Sequence, residues 1–333
     1  MTPQLIQRIE TAIQKRAPFI QAPYETAFRL LNGFLEGVPD LVIEIFGKTV
    51  VYHDYSTDTQ DEFDKKKRIL ISIIRKNLPW IASGIIKKRR SNDANERRGF
   101  DLFGSIIDKK IKENGVWYAI DLTMNRDASF YLDTRELRHW LQDNMSGKSV
   151  LNTFSYTGSI GIAALMGGAS NVMHLDLNRT FLSIAKRSTL LNEKPVDKSQ
   201  YQTGDFWSRV NQYKKNGKLF DCVILDPPVY AKTRKGTIDI AKKYDKIINK
   251  VRPLIHDGGF LVTINNALFQ SGKAHQDELR KLCKDGYLEI KKIINVPEDC
   301  IGDSTAIQAC LPADPSPYNH STKITILGVK RKN

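Results

Sequence analysis

The chain has 333 residues, which is long enough for one large domain or two ordinary domains with a full hydrophobic core. Its formal net charge of +14 favours an anionic partner, of which nucleic acid is the usual one. The sequence has no run of 18 apolar residues and no signal-peptide segment at its start, so we expect a cytoplasmic protein without a membrane partner. None of its four cysteines has C-x-x-C spacing, which disfavours structural disulfides and a zinc site.

The N-terminal part of the chain predicts a helix followed by short strands and a second helix. Apolar residues at helical spacing over residues 5–13 predict an amphipathic first helix. Residues 41–46 and 49–52 predict a β-hairpin, and an apolar face over residues 63–78 predicts the next helix. The dipeptide beginning at Asn114 predicts the turn of a further hairpin.

These elements suggest three parts. We assign residues 1–20 to an N-terminal helix, residues 21–125 to a small α+β domain that is a candidate for binding RNA, and residues 126–333 to a larger α/β domain. No long linker, internal repeat or low-complexity tract separates them.

Two groups of basic residues are candidates for binding the phosphates of a nucleic acid. The first group lies within twelve positions of the small domain and comprises Lys87, Lys88, Arg89, Arg90, Arg97 and Arg98. The second group lies in the larger domain and comprises Lys232, Arg234 and Lys235. A solvated loop rich in Lys and Arg is the alternative for the first group.

The larger domain is organised around residues 150–161, which read V-L-N-T-F-S-Y-T-G-S-I-G. This pattern predicts a strand, a tight turn and a helix, the first unit of a nucleotide-binding α/β sheet. Gly158 would let the backbone approach a ligand, and the helix start behind it offers unpaired N–H groups. Only Gly158 and Gly161 match the dinucleotide fingerprint G-x-G-x-x-G, so a plain packing turn is an open alternative.

Acidic residues follow the next predicted strands. Asp176 lies 18 positions after Gly158 and can accept hydrogen bonds from both hydroxyls of a ribose, although it could also cap the next helix. Asp205 can bind an adenine amine, with Phe206 beside the ring. The fourth strand runs into D-P-P-V-Y at residues 226–230, and the carboxyl ends of parallel strands are where such sheets bind ligands.

The order of these segments resembles the class I S-adenosylmethionine-dependent methyltransferases. The segments that carry the resemblance are N-T-F-S-Y-T-G at 152–158, H-L-D at 174–176, G-D-F at 204–206 and L-D-P-P-V-Y at 225–230. Two upstream segments, residues 115–122 and 129–135, are similar to E-N-G-x-x-F-x-V-D-L and G-F-F-L-D-Q-R in bacterial 23S ribosomal RNA methyltransferases. The resemblance extends from about Thr26 onward.

The resemblance implies a Rossmann-like, seven-stranded class I methyltransferase domain whose last strand is antiparallel, preceded by a small α+β domain. It implies S-adenosyl-L-methionine as cofactor and RNA as partner, either 23S rRNA or a large-subunit precursor, and leaves monomer and homodimer open. With the residue patterns above, it assigns the cofactor to Tyr131, Arg135, Asn152, Phe154, Ser155, Thr157, Gly158, Asp176, Leu177, Asn178, Asp205, Phe206 and Asp226.

The catalytic candidates are suited to an exocyclic amine or a ring nitrogen. Asp226 and the carbonyl of Pro227 can accept the hydrogens of an amine, Tyr230 can stack on a base, and Asn265 can contact a base edge. A Pro-Pro pair that simply ends a strand is the alternative. Relatives that methylate cytosine carbon 5 carry T/S-C-S after the fifth strand, where this chain has T-I-N-N-A at 263–267.

We therefore predict an RNA methyltransferase for which a guanine nitrogen is favoured over cytosine carbon 5. The rival from another class is a non-catalytic RNA-binding or ribosome-assembly protein that retains the fold.

Overall fold

The computed structural model describes residues 3–233, 236–301 and 321–331. They fall into two compact units: residues 3–132 with 297–301, and residues 133–233 and 236–296 with 321–331. The structure divides the chain after Leu132, whereas the sequence predicted a domain boundary between residues 125 and 126. Residues 297–301 belong to the first unit, whereas the sequence assigned them to the second domain. No helix in these described ranges is long and apolar enough to cross a membrane.

The first unit contains a five-stranded sheet in the order β1-β2-β3-β4-β5. Its strands are β1 Ala27–Asn32, β2 Leu41–Phe46, β3 Thr49–Asp54, β4 Ser83–Lys88 and β5 Phe100–Phe103. Its helices are α1 Pro3–Lys15, α2 Gln60–Asn77, α3 Ala94–Arg98 and, after the second unit, α10 Glu298–Ile301. Strands β3 and β4 are parallel and are connected through α2, whereas the other neighbouring pairs are antiparallel.

Local sequence explains the ends of these elements. Helix α2 begins with a capping box: the side chain of Thr59 accepts a hydrogen bond from the backbone N–H of Glu62, and the side chain of Glu62 accepts one from the backbone N–H of Thr59. The predicted turn at Asn114 connects β6 Lys110–Glu113 to β7 Val116–Ala119. Asn114 and Gly115 have φ values of 48° and 79°, as a two-residue hairpin turn with both central residues left-handed requires.

The second unit contains a seven-stranded sheet in the order β10-β9-β8-β11-β14-β16-β15. Its strands are β8 Ser149–Thr153, β9 Asn171–Asp176, β10 Tyr201–Thr203, β11 Phe220–Leu225, β14 Ile255–Asn265, β15 Leu288–Ile294 and β16 Lys323–Val329. Strand β16 is antiparallel to both neighbours, which confirms the predicted seven-stranded sheet.

Helices cover both faces of this sheet because its central strands are apolar on both sides. The helices are α4 Arg135–Asn144, α5 Ser159–Met166, α6 Arg179–Leu191, α7 Phe206–Lys215, α8 Ile240–Val251 and α9 Gly272–Cys283. On β11, Cys222 and Ile224 pack toward α4 and α5, whereas Val223 and Leu225 pack toward α7 and α8. Burying one Ile, Leu or Val contributes about 1.5–3 kcal/mol, so this alternation fixes the strand register.

Candidate cofactor and active site

Parallel pairing aligns the carboxyl ends of the central strands. Thr153 of β8 is paired with Leu175 of β9 on one side and with Leu225 of β11 on the other. Leu225 is in turn paired with Thr263 of β14. The loops that follow these four residues therefore leave the sheet at one edge, as the sequence analysis expected.

The loop after β8 has an unusual backbone and folds over the end of β9. Phe154 and Tyr156 have φ values of 52° and 50°, in the left-handed region that residues other than glycine rarely adopt. The backbone N–H of Ser155 donates to the carbonyl of Leu175 at 3.0 Å, and that of Tyr156 donates to Oδ2 of Asp176 at 2.8 Å. Strained loops of this kind concentrate at functional sites.

Asp176 is held at the end of β9 by backbone donors. Its Oδ1 accepts from the N–H of Asn178 at 2.8 Å, while its Oδ2 accepts from Tyr156. Burial raises the pKa of Asp176, and these N–H bonds oppose the rise. The N-cap of α6 is Asn178, whose side chain accepts a hydrogen bond from the N–H of Thr180. The helix is therefore capped by Asn178 and not by Asp176, for which capping was the alternative role.

The two glycines of the loop–helix junction are required by packing. Gly158 has a φ of 81° and stands at the N-cap of α5. A Cβ on Gly158 would lie 2.5 Å from the Cβ of Ala185, and one on Gly161 would lie 2.5 Å from the ring of His174. The absence of a Cβ at both positions allows α5 to pack closely against α6 and β9. Close packing, which the sequence offered as the alternative for this turn, is therefore one reason for its glycines.

Three buried polar atoms near this edge make no hydrogen bond within the described ranges: Asn152 Nδ2, Ser155 Oγ and Asp205 Oδ2. The other carboxylate oxygen of Asp205 accepts from the N–H of Ser208 at 3.0 Å and caps α7. Buried polar groups are normally satisfied, so unsatisfied donors and acceptors at strand ends are candidates for binding a polar ligand. Together with Asp176, they fit a nucleoside that carries hydroxyl, amine and carboxylate groups.

Phe206 and Leu177, both predicted to bind the cofactor, differ in their burial. Phe206 was expected to flank an adenine, but it is only 5% exposed and its ring lies 4.6 Å from Phe154 and 5.2 Å from Trp207. It is therefore a core residue, because the first position of α7 points into the sheet. Leu177, in contrast, is 67% exposed at the end of β9.

The remaining predicted cofactor residues lie on either side of the division between the units. Tyr131 belongs to the first unit and is 43% exposed, and its hydroxyl donates to Oδ2 of Asp127 at 3.2 Å. Arg135 is the first residue of α4 in the second unit and is partly buried. Thr157 is buried within the loop before α5.

Asp226 follows β11 directly and is partly buried. Burial away from water is the main cause that raises the pKa of Asp226 to about 7, and the negative charge of the neighbouring Asp133 carboxylate is the second cause. Asp133 accepts a hydrogen bond from Oγ1 of Thr322 at 2.7 Å. Sequence reasoning gave Asp133 no role at this site, although it is the acidic residue of the segment 129–135; it lies 93 positions away from Asp226.

The residues after Asp226 expose one aromatic ring. Pro227 is buried and Pro228 is exposed. Tyr230 is 54% exposed and begins β12 Tyr230–Thr233, which pairs with β13 Gly236–Asp239 in a hairpin. Of the second basic group, Lys232 lies on β12 of this hairpin, and Arg234 and Lys235 lie outside the described residues.

The structure engages Asn265, which was predicted to contact a base edge, inside its own loop. Asn265 is fully buried, and its Oδ1 accepts from the backbone N–H of Ala267 at 3.0 Å. Its Nδ2 donates to Oε1 of Gln270 at 2.7 Å and lies 3.4 Å from Nδ1 of His275. Both polar atoms of the amide are therefore engaged within the protein, and they shape the loop after β14.

Lys87 does not belong to the phosphate-binding group that the sequence predicted. Its side chain is fully buried, and Nζ donates to the backbone carbonyls of Arg98, Asn125 and Asp127. Burial, with a smaller effect of Arg89, lowers the pKa of Lys87 to about 8. Alternating residues of β4 point to opposite faces, which places this lysine inside the unit.

Two more cations of the first basic group are engaged inside the first unit. Lys88 pairs with Glu96 at 2.9 Å and lies over the ring of Phe63 at 4.6 Å. Arg89 pairs with Asp127 at 3.1 Å and also donates to the carbonyl of Arg126. Neither is therefore a free cation for a phosphate.

The rest of the first basic group differs in its exposure. Arg97 donates to the carbonyls of Ser91 and Asn92 and folds onto its own loop. Arg90 and Arg98 are exposed, so they are the members of the group that can meet an external phosphate.

The sheet order and the ligand-facing edge define a class I, nucleoside-binding α/β fold of the kind that methyltransferases use. The chain belongs to the S-adenosylmethionine-dependent methyltransferase family, whose model matches residues 85–300, more than half of its length. Its cofactor is S-adenosylmethionine, and the unsatisfied polar atoms at the strand ends fit this group.

Named relatives agree with this assignment. The chain is 29% identical over 289 residues to ribosomal RNA large subunit methyltransferase I of Aeromonas salmonicida, covering 85% of this chain and 71% of that protein. A proposed methyltransferase from Streptococcus mutans has a TM-score of 0.82 at 20% identity, over 97% of this chain and 80% of its own. A proposed methyltransferase solved in complex with SAH has a TM-score of 0.81 at 21% identity, with the same coverage. These two structural similarities concern the fold.

Proposed function

We propose that this enzyme methylates a base of large-subunit ribosomal RNA, and that the methylated atom is a guanine nitrogen in preference to cytosine carbon 5. The carboxylate of Asp226 at the end of β11 is the observation that carries the proposal. Support for RNA comes from the name of the Aeromonas relative and from the net charge of +14.

In the proposed cofactor site, each polar group has a partner in the ligand. Asp176 would accept hydrogen bonds from the ribose hydroxyls, and Oδ2 of Asp205 would accept from the adenine amine. Asn152 and Ser155 would bind the amino-acid part. The bound cofactor supplies a methyl group on a sulfonium, which leaves in an in-line displacement.

The protein's own contribution to this displacement is to place the nucleophile. Asp226 and the Pro227 carbonyl would accept the hydrogens of the target nitrogen, which orients its lone pair and takes up the released proton. Tyr230 would stack on the target base. A cytosine carbon would first need a thiolate to add to the ring, and the last residue of β14 and the one after it are Asn265 and Asn266.

The decisive experiment is mass spectrometry of nucleosides from rRNA of cells with and without the gene. We expect one methylated guanosine to disappear and to return when purified enzyme and S-adenosylmethionine are added. Loss of 5-methylcytidine, or a covalent adduct with RNA that contains 5-fluorocytidine, would refute the guanine assignment. Unchanged rRNA nucleosides together with normal cofactor binding would favour the non-catalytic RNA-binding alternative.

A pH profile tests the role of Asp226. Only the ionised carboxylate accepts both hydrogens of an amine, so we expect turnover to rise with pH through about 7 and then level off. Asp133→Asn removes a neighbouring negative charge and keeps an acceptor for Thr322, so it should shift the midpoint to lower pH. The same midpoint in both proteins would exclude Asp133 as a cause.

The same carboxyl group makes a prediction about stability. Because the pKa of Asp226 is raised by folding, its contribution to the free energy of unfolding is present below its ordinary value of 3.8 and is lost as pH rises through about 7. We therefore expect chemical unfolding between pH 4 and pH 8 to show that, as the pH rises, the wild type loses stability relative to Asp226→Asn.

Two double variants with the same change in net charge test whether Arg90 and Arg98, the exposed members of the first basic group, bind RNA. Arg90→Ala with Arg98→Ala should weaken RNA binding and reduce the slope of log affinity against log salt by about 0.7 for each lost single-strand phosphate contact. Lys65→Ala with Arg68→Ala, two exposed cations of α2, makes the same change in net charge and serves as the control. Equal slopes in the two double variants would show that Arg90 and Arg98 make no specific contact.

A further inference from the structure

The loop after β14 exposes two large apolar side chains beside the candidate active site. Leu268 is 71% exposed and Phe269 is 68% exposed, although the last five residues of the strand before them, 261–265, are all buried. Burial of such side chains is favourable, so exposing two in succession is a cost to folding that needs another explanation.

Hydrogen bonds hold this loop in shape from both ends. The buried Asn265 binds the N–H of Ala267 and the side chain of Gln270. Gln270 donates in turn to Glu278 of α9 at 3.0 Å. The buried ammonium of Lys323 donates to the carbonyl of Ala267 at 3.1 Å. These hydrogen bonds fix the conformation of the loop, in which the side chains of Leu268 and Phe269 are exposed to solvent.

The position of the loop connects it to the chemistry. Leu225 and Thr263 are paired, so the loop after β14 leaves the sheet beside the segment that begins at Asp226. That segment exposes Tyr230, and the first turn of α9 exposes Lys273. Aromatic and apolar side chains with a nearby cation are the combination that binds unpaired nucleic-acid strands.

We propose that Leu268 and Phe269 form a stacking platform for the unpaired base next to the methylated nucleotide. This inference rests on the proposed RNA substrate. An enzyme that modifies a base must take it out of its stack, which leaves the neighbouring base without a partner. Phe269 and Leu268 would take the place of the extruded base, as apolar wedges do in other nucleic-acid complexes. They are positioning residues, and they take no part in the transfer itself.

The test compares Phe269→Ala, Phe269→Trp and Leu190→Ala in methylation of rRNA from cells that lack the gene. We expect Phe269→Ala to raise the KM for RNA about tenfold, which corresponds to about 1.4 kcal/mol. Phe269→Trp should stay within about twofold, because it keeps a stacking ring. Leu190, 62% exposed near the end of α6 and thus toward the opposite edge of the sheet, is the matched control and should show no change.

A direct probe separates this inference from the proposed function. Binding of a single-stranded oligoribonucleotide containing 2-aminopurine should quench its fluorescence in the wild type and much less in Phe269→Ala. The salt dependence of binding should be the same in both, because stacking releases no counterions. Cofactor affinity and melting temperature should also stay unchanged, which excludes a folding defect.

Each outcome bears on one proposal. Wild-type enzyme that methylates no RNA would overturn the proposed function, while the quenching experiment still decides on the platform. Equal quenching and equal KM in Phe269→Ala and the wild type would overturn the platform. So would a change in sedimentation that shows Leu268 and Phe269 joining two copies of the chain, with RNA affinity unaltered.

Discussion

Asp226→Ala is expected to lower the rate of methyl transfer by about 10²- to 10⁴-fold, while the affinity for S-adenosylmethionine changes much less. The carboxylate is the proposed acceptor of the hydrogens of the target nitrogen, and a positioned proton acceptor contributes about this much to a reaction rate. Turnover under saturating cofactor, together with calorimetry of cofactor binding, measures the two effects separately.

Two further variants sharpen this prediction. Asp226→Asn keeps a carbonyl acceptor but cannot take up a proton, so it should lose less activity than Asp226→Ala and should lose the pH dependence near 7. Asp143→Ala removes an exposed carboxylate of α4 and should behave as the wild type. If Asp226→Ala retained full turnover, the proposed chemistry at the end of β11 would be untenable.

Asp176→Ala is expected to weaken binding of S-adenosylmethionine by at least about tenfold. Hydrogen bonds to a charged group contribute about 1.5–3 kcal/mol, and this variant would remove those to the ribose. It also removes the support that Asp176 gives to the backbone of Tyr156, so the loop after β8 would lose its present geometry. Calorimetry with S-adenosylmethionine measures the loss.

The control for Asp176 is a second acidic residue with a local backbone role. Asp197 caps a short 3₁₀-helix through the N–H of Ser199, so Asp197→Ala should reduce local order but leave cofactor affinity unchanged. Melting curves of both variants report whether the fold is intact. Wild-type affinity in Asp176→Ala would remove this residue from the cofactor site.

Much of the second unit was predictable because its signals are local. The apolar runs of β8, β9 and β11 are short and are each followed by a loop of small or acidic residues. Strands buried on both faces have this pattern, and their carboxyl ends must meet at one edge when they pair in parallel. The place of the candidate site at the carboxyl ends of these strands follows from that reasoning.

Side-chain availability was less predictable, because it depends on partners far away in the chain. Lys87 and Arg90 are three positions apart in one basic run, yet one is buried against three carbonyl groups and the other is exposed. Asn265 follows the motif pattern of a base-contacting residue, but its amide is consumed by its own loop. A linear pattern shows which groups are present and does not show which bonds they have already made.

The sequence by itself indicated an α/β fold, through the period of its apolar residues and the order of its strand-end motifs, and its resemblance to class I methyltransferases implied the seven strands and the family. Only the tertiary structure brought Asp133 near Asp226, buried Lys87 and fixed the loop that exposes Leu268 and Phe269. The reason is physical. Strand and helix formation depend on neighbours a few positions away, whereas desolvation, charge interactions and exposure depend on which distant segments pack together.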